Sequence, residues 1–288
     1  MPTIAARGID FYYETYGDDG APPLLVAHGL MGSIEMMARF GEQLDAIAAK
    51  GVRVIAYDAR GHGRSGYTTH RSSYAWAALG DDMHAFAHAL GIEKISVYGG
   101  SMGAGTALMC ALEHPEIIDR LILRSPPPFG ADLTLVSRKW RAIATLYRLF
   151  GPRWTARIIL AMPAGKAAQA RDPKFDMRWF WSSQRRASIV PAIRCVLVDD
   201  RLPVHRFGEI AHPALILTHP DDELHPLASG ELLHERMPHA RLAVAPSATY
   251  WQENPDGLTH VIASFVKGEP IAQGLPVKVA HAHESPEA

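Results

Sequence analysis

Between an apolar, β-branched run at residues 95–98 and an alanine-rich helical run at residues 104–114, the chain reads Gly99-Gly100-Ser101-Met102-Gly103. A strand that enters a helix through so few residues must reverse sharply. Glycines two positions either side of Ser101 keep side chains out of that reversal. The order of strand, G-x-S-x-G and helix holds a serine hydroxyl clear at the head of a helix. There the N–H of Met102 is aimed at any oxyanion forming on a group held against Ser101. An idle serine in a tight glycine-rich turn is the plain alternative. What decides between them is what the rest of the chain brings to the ends of its strands.

The rest of the chain alternates. Residues 9–16 are aromatic-rich and, with the segment before them, predict an opening hairpin. Short runs without polar alternation at residues 24–27, 52–57 and 214–218 read as strands buried on both faces, and residues 118–123 and 241–245 read as further strands. Helices are predicted at 36–49, 74–90, 227–236 and 256–266. Such alternation predicts an α/β fold, a mostly parallel twisted sheet with flanking helices. Ligands of such sheets sit beyond the carboxyl ends of the strands. Residues 130–212 break the rhythm: they are rich in helix formers, hold no clear buried strand and gather most of the tryptophans. They predict a helical cap inserted before the penultimate strand. The expected organisation is therefore a core of residues 1–129 and 213–268, a cap of 130–212, and a flexible tail of 269–288. Lys and Arg outnumber Asp and Glu in the cap by more than two to one. That bias, with Trp140, Trp179 and Trp181 of the cap and Tyr250 of the last loop as candidate substrate contacts, predicts an apolar pocket with a basic rim.

With 288 residues, 48% of them hydrophobic and 20% charged, there is ample material for a buried core. A formal net charge of −1 gives no overall pull toward nucleic acid or an anionic membrane. Two distant cysteines, Cys110 and Cys195, make neither a disulfide framework nor a zinc site. With no basic-then-apolar leader and no long apolar span, the expected location is cytoplasmic. The 15 histidines are scattered without metal-ligand spacing.

Five segments in order resemble the capped serine hydrolases of the α/β-hydrolase superfamily, over about residues 3–267. They are His28-Gly29-Leu30-Met31-Gly32, the D-x-R-G-x-G-x-S loop from Asp58 to Ser65, the elbow, the loop His219 to Pro226, and Glu253-Asn254-Pro255. The resemblance implies Ser101 as nucleophile, the N–H groups of Leu30 and Met102 as oxyanion donors, and Asp222, rather than its neighbour Asp221, as the acid. It implies that His28, His62, Arg60 and Arg64 shape loops. It also places the catalytic histidine five residues before Glu253, and that position is Ala248. Three readings follow. Ala248 replaces a parental histidine in an inactivated enzyme; or the chain is a non-catalytic small-molecule binding protein or receptor; or another histidine, His225 or His219, serves as base. The first is the leading expectation. The parent chemistry it implies is hydrolysis of an ester, lactone, thioester or activated C–C bond through an acyl-enzyme, with neither metal nor organic cofactor implied. The expected partner is a small hydrophobic or aromatic carbonyl substrate, with no nucleic acid and no membrane; a homodimer stays open.

Overall fold

The chain opens with a hairpin, β1 (Thr3–Ala6) and β2 (Ile9–Tyr16), turned by Arg7 and Gly8, both at positive φ. The apolar runs then form β3 (Pro23–Ala27), β4 (Arg53–Tyr57), β5 (Ile95–Gly100), β6 (Ile118–Arg124), β7 (Ala214–Thr218) and β8 (Ala240–Val244). A ninth strand, β9 (Lys278–His281), closes the far edge. The structure, a computed structural model, describes residues 2–129, 132–171, 175–271 and 278–281. The sheet order is β1-β2-β4-β3-β5-β6-β7-β8-β9, parallel from β4 to β8 and antiparallel at both margins.

Successive residues of a strand point to opposite faces, and each face has its own helices. Leu25, Ile55, Val97, Leu121 and Ile216 pack with α3 (Trp76–Ala89), α4 (Met102–Glu113) and α9 (Leu227–Arg236). Leu24, Val54, Tyr98, Ile122 and Leu215 pack with α1 (Ile34–Arg39), α2 (Leu44–Ala48) and α11 (Pro255–Lys267). A short α10 (Tyr250–Glu253) precedes the last of these. The expected helix over 36–49 is two helices. Ser33 caps the first by accepting from Met36 N–H, and Gly41, at φ 78°, breaks the chain between them.

The insert is helical as expected: α5 (Asp132–Ala161), α6 (Pro163–Arg171), α7 (Met177–Ser182) and α8 (Arg186–Arg194), then one wide helical turn over Cys195–Asp199. α5 is bent at Gly151 (φ 72°), ahead of Pro152. The insert has its own core: Tyr147 is fully buried and donates to the Trp181 carbonyl at 2.7 Å. It is pinned to the sheet's carboxyl end by Ser188 Oγ donating to the Gly61 carbonyl (2.6 Å) and Gln184 Nε2 donating to the Met31 carbonyl (3.0 Å). The stretch expected as a loose tail needs one correction. Residues 278–281 pair antiparallel with β8, whose open edge would otherwise present unpaired N–H and C=O groups. The remainder of that tail, 272–277 and 282–288, lies outside the described residues. Among those described, no helix is long and apolar enough to cross a membrane.

Candidate active site

Ser101 sits between β5 and α4 at φ 50°, ψ −111°, a conformation that L-residues rarely adopt. The neighbours enforce it. A Cβ on Gly99 would collide with the Gly103 carbonyl, and one on Gly103 with the Ala27 carbonyl. The backbone is held in place by Ser101 N–H donating to the Arg124 carbonyl (3.0 Å) and Gly105 N–H donating to the Ser101 carbonyl (3.1 Å). Across from the serine, a Cβ on Gly29 would stand 3.4 Å from the Ser101 Cβ, so the His28-Gly29 turn abuts the elbow. The N–H groups of Leu30 and Met102 donate to no group among the described residues, and both residues line the cavity that Ser101 faces.

His28 shapes its loop. Its Nδ1 donates to the Gly29 carbonyl (2.8 Å) and its Nε2 accepts from Ala59 N–H (2.9 Å). Burial pushes it down to about 4, which keeps the ring neutral. Burial, with the neighbouring His28, pushes His62 down to about 3, and it donates to the Arg60 carbonyl. Arg60 and Arg64 are tied into the same loop region. The first is bound to Asp82 at 2.6 Å, and the backbone N–H of the second donates to Asp58 at 2.8 Å.

The loop after β7 supplies the other two groups. Asp221 takes the left-handed turn, φ 63°, and the next residue then faces inward. Asp222 Oδ1 accepts from the N–H groups of Leu224 (2.8 Å) and His225 (3.0 Å), folding the loop back on the carboxylate. Its Oδ2 lies 2.9 Å from His225 Nδ1. With Nδ1 donating there, Nε2 is the ring's acceptor, and it lies 2.8 Å from Ser101 Oγ. Burial raises the Asp222 carboxyl, but the His225 ring and the two backbone N–H groups outweigh it and hold the group well below the usual carboxylate range. His219 flanks the same oxygen at 3.7 Å, too far for a hydrogen bond, while its Nδ1 donates to the Pro220 carbonyl.

Ala248 lies elsewhere, exposed in the turn after β8 and away from the cavity wall. The expected gap at the base position is therefore not found, because the imidazole of His225 stands against Ser101. The signal was the Asp-x-x-His spacing before Pro226, and an i, i+3 pair meets in space once an Asx turn folds the loop. The cavity itself has a volume of about 440 Å³. Trp140 and Trp181 line it, with Met36, Met37, Phe40 and Phe180 in the same apolar wall. Trp179 does not: it borders a separate, polar groove, with the Arg39 guanidinium 4.2 Å from its ring centre. Tyr250 does not either: it is buried in the core against Trp251, and Gln252 of the same helix reaches the cavity instead. The expected basic rim is also corrected. The cap residues on the wall are uncharged, and the cation there is Arg124 of the core, ion-paired with Glu42 and bonded to Tyr98 Oη at 3.0 Å.

Among the described residues, His84, His114 and Glu116 bring potential metal ligands within 4.8 Å of one another, away from this cavity. The two rings stack 4.0 Å apart and nearly parallel, so their in-plane lone pairs do not converge on one point.

A model of the alpha/beta hydrolase fold family matches residues 22–251. A protein named as a carbamate hydrolase, RutD, from Caulobacter sp. strain K31 is 27% identical over 274 residues, covering 90% of this chain and 96% of that one. The 2-hydroxy-6-oxononadienedioate/2-hydroxy-6-oxononatrienedioate hydrolase of Comamonas testosteroni is 26% identical, covering 92% and 94%. Among solved structures, the enol-lactonase from Burkholderia xenovorans LB400 aligns with a TM-score of 0.76 at 23% identity, over 92% of this chain and all of that one.

Proposed function

Since the chain belongs to the alpha/beta hydrolase fold family, whose members compared above are hydrolases, we propose that it is an active serine hydrolase of carbonyl compounds whose base is His225. The observation that carries the reading is the unbroken run from Ser101 Oγ through both ring nitrogens of His225 to Asp222. In that arrangement His225 Nε2 takes the hydroxyl proton as Ser101 attacks the carbonyl carbon. The oxyanion accepts from Leu30 and Met102 N–H, and the protonated ring is stabilised by the Asp222 carboxylate. The same ring returns its proton to the leaving group. Water, deprotonated in turn by His225, then attacks the acyl carbon, and the ring hands that proton to Ser101 Oγ as the acyl group leaves.

The apolar wall supports a substrate with a hydrophobic or aromatic body, and the Arg124–Glu42 pair offers hydrogen bonds to one polar end. Esters, enol-lactones, carbamates and the activated C–C bonds of 6-oxo-dienoic acids all present the required carbonyl. The fold alone does not choose among them.

The test compares His225→Ala and Ala248→His on a panel of activated esters and lactones. Loss of roughly a thousandfold or more in kcat for His225→Ala, with no gain for Ala248→His, is the expected result. Restoration of activity by Ala248→His in a poorly active parent would overturn the assignment of the base.

A further inference from the structure

The net charge of −1 conceals a one-sided distribution. From residue 133 to residue 171, along α5 and α6, the sequence contains no Asp or Glu. At the bend of α5, Arg148, Arg153 and Arg157 are exposed, and none of them forms an ion pair among the described residues. Interleaved with them are large apolar side chains that the cap's own core leaves outside. Leu149 is 59% exposed, Phe150 51% and Trp154 58%, and Met162, just before α6, is 43% exposed. Arg157 lies 4.8 Å over the Trp154 ring. Isolated exposed apolar residues are ordinary on a surface. Three within six positions, flanked by unneutralised cations, form a patch.

We propose that this face of the cap docks on anionic phospholipid bilayers. Leu149, Phe150 and Trp154 enter the headgroup region, and Arg148, Arg153 and Arg157 meet the lipid phosphates. Charge complementarity selects this occupant. A second copy meeting the same face across a two-fold axis would set arginine against arginine with no acidic residue to neutralise either. A nucleic acid would satisfy the cations but gain little from aliphatic Leu149 and Met162. The mixture of indole, phenyl and aliphatic tips ringed by guanidinium groups is the chemistry of a bilayer interface. α5 bends at Gly151, ahead of Pro152, so Leu149 and Phe150 lie on one side of the bend and Trp154 on the other.

The experiment is co-flotation of the intact chain with vesicles of phosphatidylcholine, alone or mixed one to one with phosphatidylglycerol. It is repeated for Leu149→Ser/Phe150→Ser/Trp154→Ser and for Arg148→Gln/Arg153→Gln/Arg157→Gln. All six positions are exposed and lie outside the cavity wall, and unchanged thermal midpoints verify folding. Binding to the mixed vesicles, weakened about tenfold or more by either triple variant, is the expected result. So is a blue shift of fluorescence that Trp154→Phe abolishes. Any of three results would overturn the proposal: no binding to either vesicle, binding that the serine variant leaves intact, or a dimer in solution that the serine variant dissociates. Equal affinity for a single-stranded oligonucleotide and for the mixed vesicles would overturn it in favour of nucleic acid.

Discussion

His225 and Asp222 lie three residues apart, so one loop fixes both the carboxylate and the imidazole that line up with Ser101. Asp222 uses its two oxygens for different tasks. Oδ1 holds the backbone of the loop, and Oδ2 selects the tautomer of the ring. Asp222→Asn separates the two tasks. The carboxamide oxygen it introduces accepts the same backbone N–H groups, so the loop keeps its shape. The carboxamide nitrogen then donates to His225 Nδ1 and forces the proton onto Nε2, where it blocks acceptance from Ser101. The expected outcome is a kcat lower by about three to four orders of magnitude with KM nearly unchanged, on whichever activated ester the parent cleaves. A large rise in KM instead would show that Asp222 shapes the cavity rather than the proton path. At this scale, position 248 is a surface alanine.

At the scale of elements, the elbow is held by close backbone approach rather than by side-chain contacts. Gly103→Ala drives a methyl group into the Ala27 carbonyl of β3, and because that contact is main chain, the first turn of α4 or the end of β3 must shift. Destabilisation of about 1–3 kcal/mol is expected, with loss of the proposed hydrolase activity in the fraction that stays folded; urea unfolding measures the first. Much of this was legible in the sequence because the reasons are local. Apolar runs without alternation, glycines at forced turns and a serine between strand and helix each announce themselves within ten residues. The strained turn at Ser101, the His28 loop beside it and the inward-facing Asp222 all have signals of that kind. What escaped depends on distance in sequence. Whether Trp179 or Phe180 faces the cavity is set by how α7 rolls onto the core, and whether Tyr250 or Gln252 does is set by α10 packing on Trp251. His225 was legible only as one option among three, because a family pattern pointed to position 248. The turn made by Asp222 that delivers the ring appears only in three dimensions. The split between α1 and α2 was marked by Gly41, which the helical periodicity outvoted.

For the molecule as a whole, the carboxyl edge of the sheet carries two buried, uncharged histidines from different loops, and their protonation links fold and site. His28 follows β3 and His62 follows β4, with their rings 5.2 Å apart. The groups around them are the Gly29 and Arg60 carbonyls, Ala59 N–H, Asp58 and Arg185. A proton on His28 Nε2 would point at the Ala59 N–H, donor against donor, and would charge a ring that burial already penalises. Both folded values lie below the ordinary histidine value near 6.5, about 4 for His28 and about 3 for His62. The unfolded chain therefore binds these protons first. Their contribution to stability is complete above about pH 6.5 and is lost progressively as the pH falls toward the folded values. For His28 alone the total loss is on the order of 3 kcal/mol, since each tenfold weakening of proton binding is worth about 1.4 kcal/mol. Urea unfolding followed between pH 7.5 and pH 4.5 measures it, and His28→Gln isolates it. The carboxamide oxygen of that variant accepts the Ala59 N–H but does not titrate, so the variant is less stable at neutral pH and its curve is flatter by about one proton. Parallel curves for the two proteins would mean that His28 does not carry the acid sensitivity. Because the folded ring stays neutral until the pH nears about 4, His28 keeps shaping the turn that carries Leu30 through this window, and activity on a soluble ester is expected to follow the folded fraction rather than fall ahead of it.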